Sequence, residues 1–480
     1  MNNLQFIYPE LVLFTAALIA LMGGVFTRSR NFGGVVALLG IAAAAFLLPS
    51  SLQAGPGIFA NMLTGDSFAV FFRWSILLVA AIVTLIAMGY REVDEADASE
   101  FYFFLLSVTV SMMLAVASKN LMMVYIAIEA ISILSYIMAG YLKRDVFSSE
   151  AGVKYFLFGA LSTGVMLYGI SLVYGLFGTL DLNLILGAMQ AGAVNSLAIF
   201  VSFSLILVGL GFKCSLAPFH MWTPDVYEGA PTPVSALFSV GPKAVGFALI
   251  LRIFVLNIFP QWPALAIVIA IATMTIGNII ALSQTNIKRL LAYSTIAQAG
   301  YILVGLVVPS GAGIQATLFY IFVYILMNLG AFAGAVAIYN AIKSDNIADY
   351  AGYYKKDPFT AIALTISLLS LAGIPPLAGF LAKFFILAAA VQTGLITLAV
   401  IIAINSVIAF YYYIRIVKYM FFQQPTGSAV DASERSEQSV RSTKSSALQV
   451  ALLVTMVASV VIGIWPHPIM NWLTSLLNLK

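Results

Sequence analysis

Four charged side chains stand in the middle of long apolar stretches, where membrane topology gives a charge no reason to be: Glu129, Lys213, Lys243 and Lys383. Insertion scales put the cost of a charge at the bilayer centre at roughly 2.5–3.5 kcal/mol, so such groups persist where they find a partner or do a task. Burial favours the neutral form of both a lysine and a carboxyl, and pairing favours the charged form of each. A glutamate whose partnership with a lysine shifts can therefore switch a neighbouring lysine between holding and releasing a proton. Lysine suits that duty because its charge responds to burial, whereas arginine's does not. Tyr125, Glu129, Ser132 and Tyr136 fall on one helix face, and this polar stripe is expected to face the interior of a bundle. Lys154 lies nearer the end of its stretch, where a buried role and snorkelling to the interface are equally good readings. Arg252 is read as snorkelling or as a structural partner.

Further polar residues are spaced to continue a path. Ser294, Gln298 and Tyr301 share one helix face, as do Tyr320, Tyr324 and Asn328. Each alone reads as glue between helices; together with four embedded charges they outline a route for protons.

Two proline-containing breaks flank the lysines. Ser215-Leu216-Ala217-Pro218-Phe219-His220 follows Lys213, and Ser370-Leu371-Ala372-Gly373-Ile374-Pro375-Pro376-Leu377-Ala378-Gly379-Phe380 precedes Lys383. Proline frees backbone carbonyls, which is tolerated at membrane depth only beside protein or a wet cavity. One such site is most simply a kink. Two at matched positions, each expected to have apolar helix on both sides, suggest discontinuous helices in a repeated unit.

The elements that must hold these groups follow from composition. Of 480 residues, 62% are hydrophobic and 9% charged, against roughly 25% charged in soluble domains; mean hydropathy is +1.02. A water-soluble monomer is excluded. Apolar runs give about fourteen transmembrane helices in an all-α polytopic protein, near 8–26, 32–49, 67–89, 101–118, 120–141, 149–177, 197–222, 233–257, 263–283, 286–308, 313–341, 359–390, 394–421 and 447–465. Spans 4–8 and 9–13 form two five-helix repeats, with the broken spans, 7 and 12, fourth in each. Five is odd, so the second repeat enters inverted.

The expected organisation is a three-span segment (1–100), the repeats 101–257 and 258–421, a polar loop 422–446, and a C-terminal segment 447–480 holding the last span. Glu10 replaces the basic start of a signal peptide, so the first run is read as a retained span. Most basic residues then sort to one side, among them Arg28, Arg91, Lys143, Arg144, Lys288, Arg289, Lys343, Lys355 and Lys418, while only Arg73, Lys119 and Lys480 fall on the other. By the positive-inside rule both termini lie outside. The acidic run from Glu92 to Glu100 is expected to be a solvated inner loop. The net charge of +4 is spread between spans and does not call for nucleic acid; the lipid bilayer is the expected surrounding. One cysteine, Cys214, and two histidines, His220 and His467, cannot make a disulfide, an iron–sulfur site or a Cys-x-x-Cys-His haem attachment.

The run FKCSLAPFHMWTPDVYEGAPTPVSA (212–236) resembles the antiporter-like membrane subunits of respiratory complex I and their Mrp-type relatives. Residues 219–229 and ALSQTNIKRLLAYSTIAQAGY (281–301) are similar to the subunit N type of that family. The resemblance covers the stretch from about Glu129 to Lys383. It implies a proton-translocating subunit of an NADH–quinone oxidoreductase in a bacterial inner membrane, assembled with other membrane and peripheral subunits. NADH, FMN, iron–sulfur clusters and quinone would then sit in those partners, and no cofactor or metal in this chain. It also implies Glu129 and Lys213 as a coupled ion pair, Lys243 as central relay, Lys383 as the exit-side lysine, and a water-linked role for His220. Gln298 departs from relatives with histidine there, which leaves that step without a titratable group. Competing readings are a subunit of a stand-alone cation/proton antiporter or membrane-bound hydrogenase, and a structural anchor whose lysines only hold the bundle together.

Overall fold

An apolar chain without water to bond has one way to satisfy its own peptide groups over a single segment, the α-helix. The computed structural model describes residues 5–27, 30–49, 51, 56–93, 97–191, 195–255, 262–308, 310–424 and 445–478, and these are helical almost throughout. The helices are α1 (Tyr8–Thr27), α2 (Arg30–Leu47), α3 (Ser67–Gly89), α4 (Ala98–Val116), α5 (Leu121–Ala139), α6 (Val146–Phe177), α7 (Leu182–Gln190), α8 (Ser196–Cys214), α9 (Trp222–Gly229) and α10 (Thr232–Ile250). They continue as α11 (Trp262–Ala281), α12 (Ile287–Val307), α13 (Gly311–Ile342), α14 (Pro358–Ala372), α15 (Ala378–Gln392), α16 (Ile396–Phe422), α17 (Ser446–Ile464) and α18 (His467–Asn478). Twelve are long and apolar enough to cross a membrane, α10 counted with the π-helical turn that extends it, and three shorter helices are also apolar. The protein is therefore a multi-pass membrane protein. A count of fourteen crossings requires α2 to make one and α14 with α15 to share another; it belongs to the proposal below.

Helix ends sort into two groups, as alternating passes demand. At one end, here the basic end, Lys343 pairs with Glu92, Tyr141 donates to Asp97 O, and Arg415 donates to Leu282 O. At the far end Arg252 pairs with Asp66, and a two-stranded hairpin, Pro56–Gly57 with Leu63–Thr64, is tied to Ser118. Asp66 is also the N-cap of α3, accepting from Ala69 N at 2.7 Å.

Internal repetition extends beyond the breaks. Helices α6 and α13 are both 32 residues long. An isolated bridge joins the N-cap of α5, Asn120, to Asp181 after α6, and a second joins the N-cap of α12, Asn286, to Asn346 after α13. The first bridge lies at the far end and the second at the basic end, the placement an inverted repeat requires.

Several local features differ from expectation. The seventh span does not run to residue 222: α8 stops at Cys214, and the half-helix after the break, α9, carries Thr223, Asp225 and Glu228 instead of an apolar stretch. Near the C-terminus the last long helix ends before Pro466, which cannot continue the hydrogen-bond ladder. The amphipathic α18 follows, seating Trp472 on Phe71 and accepting from Gln315 at Met470 O and Thr474 Oγ1. Helix α7 and the far-end hairpin were also unanticipated. Of the acidic run, Glu92 is paired and residues 94–96 lie outside the described residues, as does 425–444 of the expected polar loop.

Candidate functional site

The first break is built by the end of α8. Ser215 takes a left-handed conformation (φ 56°), Leu216 N returns to Gly211 O at 2.8 Å, and Ala217 N donates to Thr273 Oγ1 of α11 at 2.9 Å. The second break repeats the turn: Gly373 is left-handed (φ 87°) and Ile374 N bonds Leu369 O at 3.1 Å. Glycine is needed at 373 twice over, since a Cβ there would also stand 2.9 Å from Lys383 Cδ. Likewise a Cβ at Gly246 would stand 2.4 Å from Cys214 Sγ, so this glycine lets α10 press against the end of α8.

Each break leaves helix-end carbonyls without an intrahelical donor, and in each a lysine answers one. Lys243, 2% exposed and following Pro242 inside α10, donates from Nζ to Cys214 O at 3.2 Å. Lys383, 7% exposed, donates to Ala372 O at 3.0 Å and lies 4.9 Å from the Tyr301 ring centroid. Cys214 and Ala372 are the last residues of α8 and α14. The partial negative charge of a helix C-terminus favours an ammonium there, so the two lysines hold equivalent seats although they come from different elements.

Lys213, 3% exposed, has no such seat. Its Nζ is near the Tyr155 ring (5.8 Å) and, among the described residues, has no hydrogen-bond partner. Glu129 is half-buried and its Oε1 is likewise unpartnered. The ion pair implied by the resemblance therefore stands open, and the Glu129 stripe lies at the edge of the buried face, flanked by exposed Ile126, Ile133 and Ile137. His220, in the first break, is buried with Nδ1 unpartnered.

Lys154 takes neither expected role in full. Its side chain is 37% exposed and bonds Glu150 at 2.7 Å and Asp225 at 2.8 Å. Arg289 also binds Asp225, at 2.9 Å, and Glu228, at 2.7 Å, so α9 is clamped at the basic end by cations from both repeats. Burial alone would raise the Asp225 carboxyl, but bonds from Lys154 and Arg289 outweigh it and hold it below the usual carboxylate range.

Between Lys243 and Lys383 the expected stripes meet. Asn328 Nδ2 donates to Ser239 Oγ at 2.6 Å and Tyr324 to Ser239 O at 3.1 Å, one turn before Lys243. Gln298 accepts from Tyr320 and donates to Leu371 O (3.1 Å) and Tyr413 OH (3.3 Å); the carbonyl partner fixes which end of the amide is which. Tyr413 also bonds Ser294. Asn278 completes the network, donating to Tyr301 OH at 3.0 Å and Asn405 Oδ1 at 3.1 Å while accepting from Tyr412 at 3.0 Å. Asn278, Asn405, Tyr412 and Tyr413 were missed from sequence. The signal existed: Asn405 and Tyr412 are seven apart on one face of α16. A buried far-end ion pair, Arg73 with Glu10 at 2.6 Å, was also missed, and Arg252 proves to be a structural partner of Asp66. Among the described residues no three His, Cys, Asp or Glu side chains are placed to hold a metal.

Broken helices in a twice-repeated bundle, with lysines buried against the breaks, define the class as an antiporter-like membrane subunit. The family described as "NADH:quinone oxidoreductase/Mrp antiporter, TM" matches residues 118–409, and the chain belongs to that family. It is 42% identical to "NADH-quinone oxidoreductase subunit N" of Trichlorobacter lovleyi, over 88% of each chain. It is 40% identical to "NAD(P)H-quinone oxidoreductase subunit 2" of Gloeobacter violaceus, over 98% of this chain and 91% of that one. Among solved structures it superimposes on a chain of respiratory complex I from Thermus thermophilus with a TM-score of 0.78 and 30% identity, covering 96% of this chain and 98% of that one.

Proposed function

We propose that the chain is a proton-translocating membrane subunit, of the subunit N type, of an NADH–quinone oxidoreductase. It crosses a bacterial cytoplasmic membrane fourteen times with both termini outside. NADH, flavin, iron–sulfur and quinone chemistry then belongs to partner subunits, and this chain supplies the proton path with no redox centre of its own. The observation that carries the reading is the set Lys213, Lys243 and Lys383, each 7% exposed or less, with the latter two seated on the carbonyl ends of broken helices. Relatives about 40% identical over most of the chain favour a quinone oxidoreductase over a stand-alone antiporter.

The roles follow from the seats. Among the described residues Lys213 has no hydrogen-bonding partner, so its charge depends on how near the half-buried Glu129 carboxylate stands. When that partnership loosens, the proton passes toward Lys243, whose ammonium the end of α8 stabilises. From Lys243 the Ser239, Tyr324 and Asn328 groups lead to the network around Gln298. An amide does not pass a proton on as a hydroxyl does, and Gln298 is pinned at both ends. The transfer to Lys383 therefore runs through hydroxyls such as Tyr413 and Ser294 and through water. Charge-assisted bonds of the Lys243 and Lys383 kind contribute about 1.5–3 kcal/mol each, enough to hold a proton and still release it. The test is Lys243→Ala in the assembled complex, scored by quinone reduction and membrane energisation. Loss of energisation is expected; full pumping would remove Lys243 from the path.

A further inference from the structure

Buried polar atoms without a protein partner are few in native folds and call for an explanation, most often water. Among the described residues eight lie on α5, α6, α8, the first break and α9: Glu129 Oε1, Ser135 Oγ, Tyr136 OH, Tyr155 OH, Ser204 Oγ, Lys213 Nζ, His220 Nδ1 and Tyr227 OH. Two of them, Tyr155 and Tyr227, are fully buried tyrosines that the mechanism above does not use. Tyr155 is stacked on Trp222 (4.3 Å, 11°), meets Tyr136 edge-on at 5.0 Å, and has Lys213 Nζ 5.8 Å from its ring centroid. Tyr227 packs edge-on against the other side of this group, 6.1 Å from Trp222, and its hydroxyl is within electrostatic reach of Tyr155 and Tyr324. On α9, Tyr227 stands between Asp225 and Glu228, the half-exposed carboxylates clamped by Lys154 and Arg289 at the basic end.

We infer that Tyr227 and Tyr155 are the hydroxyl steps by which protons taken up at the Asp225–Glu228 cluster reach Lys213. This rests on the proton-moving reading above. Each hydroxyl oxygen accepts a proton from the water on its basic-end side as it gives its own to the water beyond, so neither tyrosine gains or loses charge. Lys213 is the acceptor that ends the sequence. Trp222, held by its Nε1 bond to Phe212 O at 3.2 Å, sets the spacing of the two rings.

Tyr155→Phe and Tyr227→Phe keep both rings and their stacking, and among the described residues neither hydroxyl makes a hydrogen bond of good geometry, although Ser135 lies within reach of Tyr155. The assembled complex carrying each variant, in sealed vesicles, is compared with the parent for NADH-driven proton pumping and for thermal stability. Pumping is expected to fall about tenfold with stability unchanged. Parental pumping in both variants would overturn the inference, as would a loss of pumping matched by a loss of stability, which marks a packing role. Lys213→Ala separates the levels. Normal pumping there removes the proton-moving reading and this inference with it. Inactive Lys213→Ala beside normally pumping tyrosine variants removes the inference alone.

Discussion

Around Lys213 the side chains of Glu129, Ser135, Tyr136, Tyr155 and Tyr227 each keep a buried polar atom that makes no hydrogen bond of good geometry among the described residues. Around Lys383 the corresponding groups satisfy one another: Tyr301 with Asn278, Asn278 with Tyr412 and Asn405, Tyr413 with Ser294 and Gln298. Both regions come from the same repeated plan, with the same turn at the break and a helix of 32 residues beside it. What differs is how each handles desolvation. A region with unpaired polar atoms needs water and lets a charge move at small cost; a region whose bonds are closed holds its geometry and resists a charge until a bond opens. In the proposed path the first repeat would serve as a loading chamber and the second as a gate with Lys383 behind it.

Substitutions that act on one region and spare the other test that contrast. The largest effect is expected for Lys383→Ala, which removes the lysine seated on the second break: pumping falls about a hundredfold in complexes that still assemble, measured as acidification of sealed vesicles. Glu129→Gln removes the charge proposed to modulate Lys213 and keeps the shape. Pumping falls about tenfold, with assembly on native gels unchanged; failure of assembly with normal pumping in the residue that forms would support the anchor reading. Tyr413→Phe acts through the closed network. It leaves Ser294 without its partner and costs about 1–2 kcal/mol of stability, read as a lowered thermal midpoint, whereas Tyr155→Phe costs less, its hydroxyl making no hydrogen bond of good geometry among the described residues. Equal losses from the two substitutions would erase the distinction between the repeats.

Smallest on stability is the effect of Asp225→Asn at the basic end, where the partners are about one-third exposed and each bridge contributes only about 0.2–1 kcal/mol after solvent screening. The carboxyl is depressed in the folded chain. Its contribution is therefore full above the ordinary carboxylate value of about 3.9 and is lost as pH falls through the depressed value. The variant should show a flatter loss of stability on acidification than the parent.

Much of this plan was legible in the sequence because the bilayer makes charge expensive. Lys213, Lys243 and Lys383 were visible as charges without a topological reason, and Pro218 and Pro375 as breaks without a loop. The seats of those lysines were not legible. That Lys243 reaches Cys214 O while Lys383 reaches Ala372 O depends on how separate helices pack around each break, which no spacing along one helix reports. The polar character of α9 was misread for a related reason: Asp225 and Glu228 look like loop residues until Lys154 and Arg289 arrive from two other helices. Asn278 escaped because a lone polar residue in an apolar helix looks the same whether it closes a network or glues a pair, and Tyr413 because it follows Tyr411 and Tyr412 in an aromatic run. The open Glu129–Lys213 partnership was likewise beyond reach, since residue types fix what can pair and not how near they stand.

The central claim is that the buried lysines act by releasing a proton and not merely by bearing charge. Lys243→Arg tests it most directly, since arginine keeps the charge and the donor to Cys214 O but does not give up its proton. The assembled Lys243→Arg complex, in sealed vesicles, should pump as poorly as Lys243→Ala. Pumping at the parental rate with arginine in that seat would contradict it.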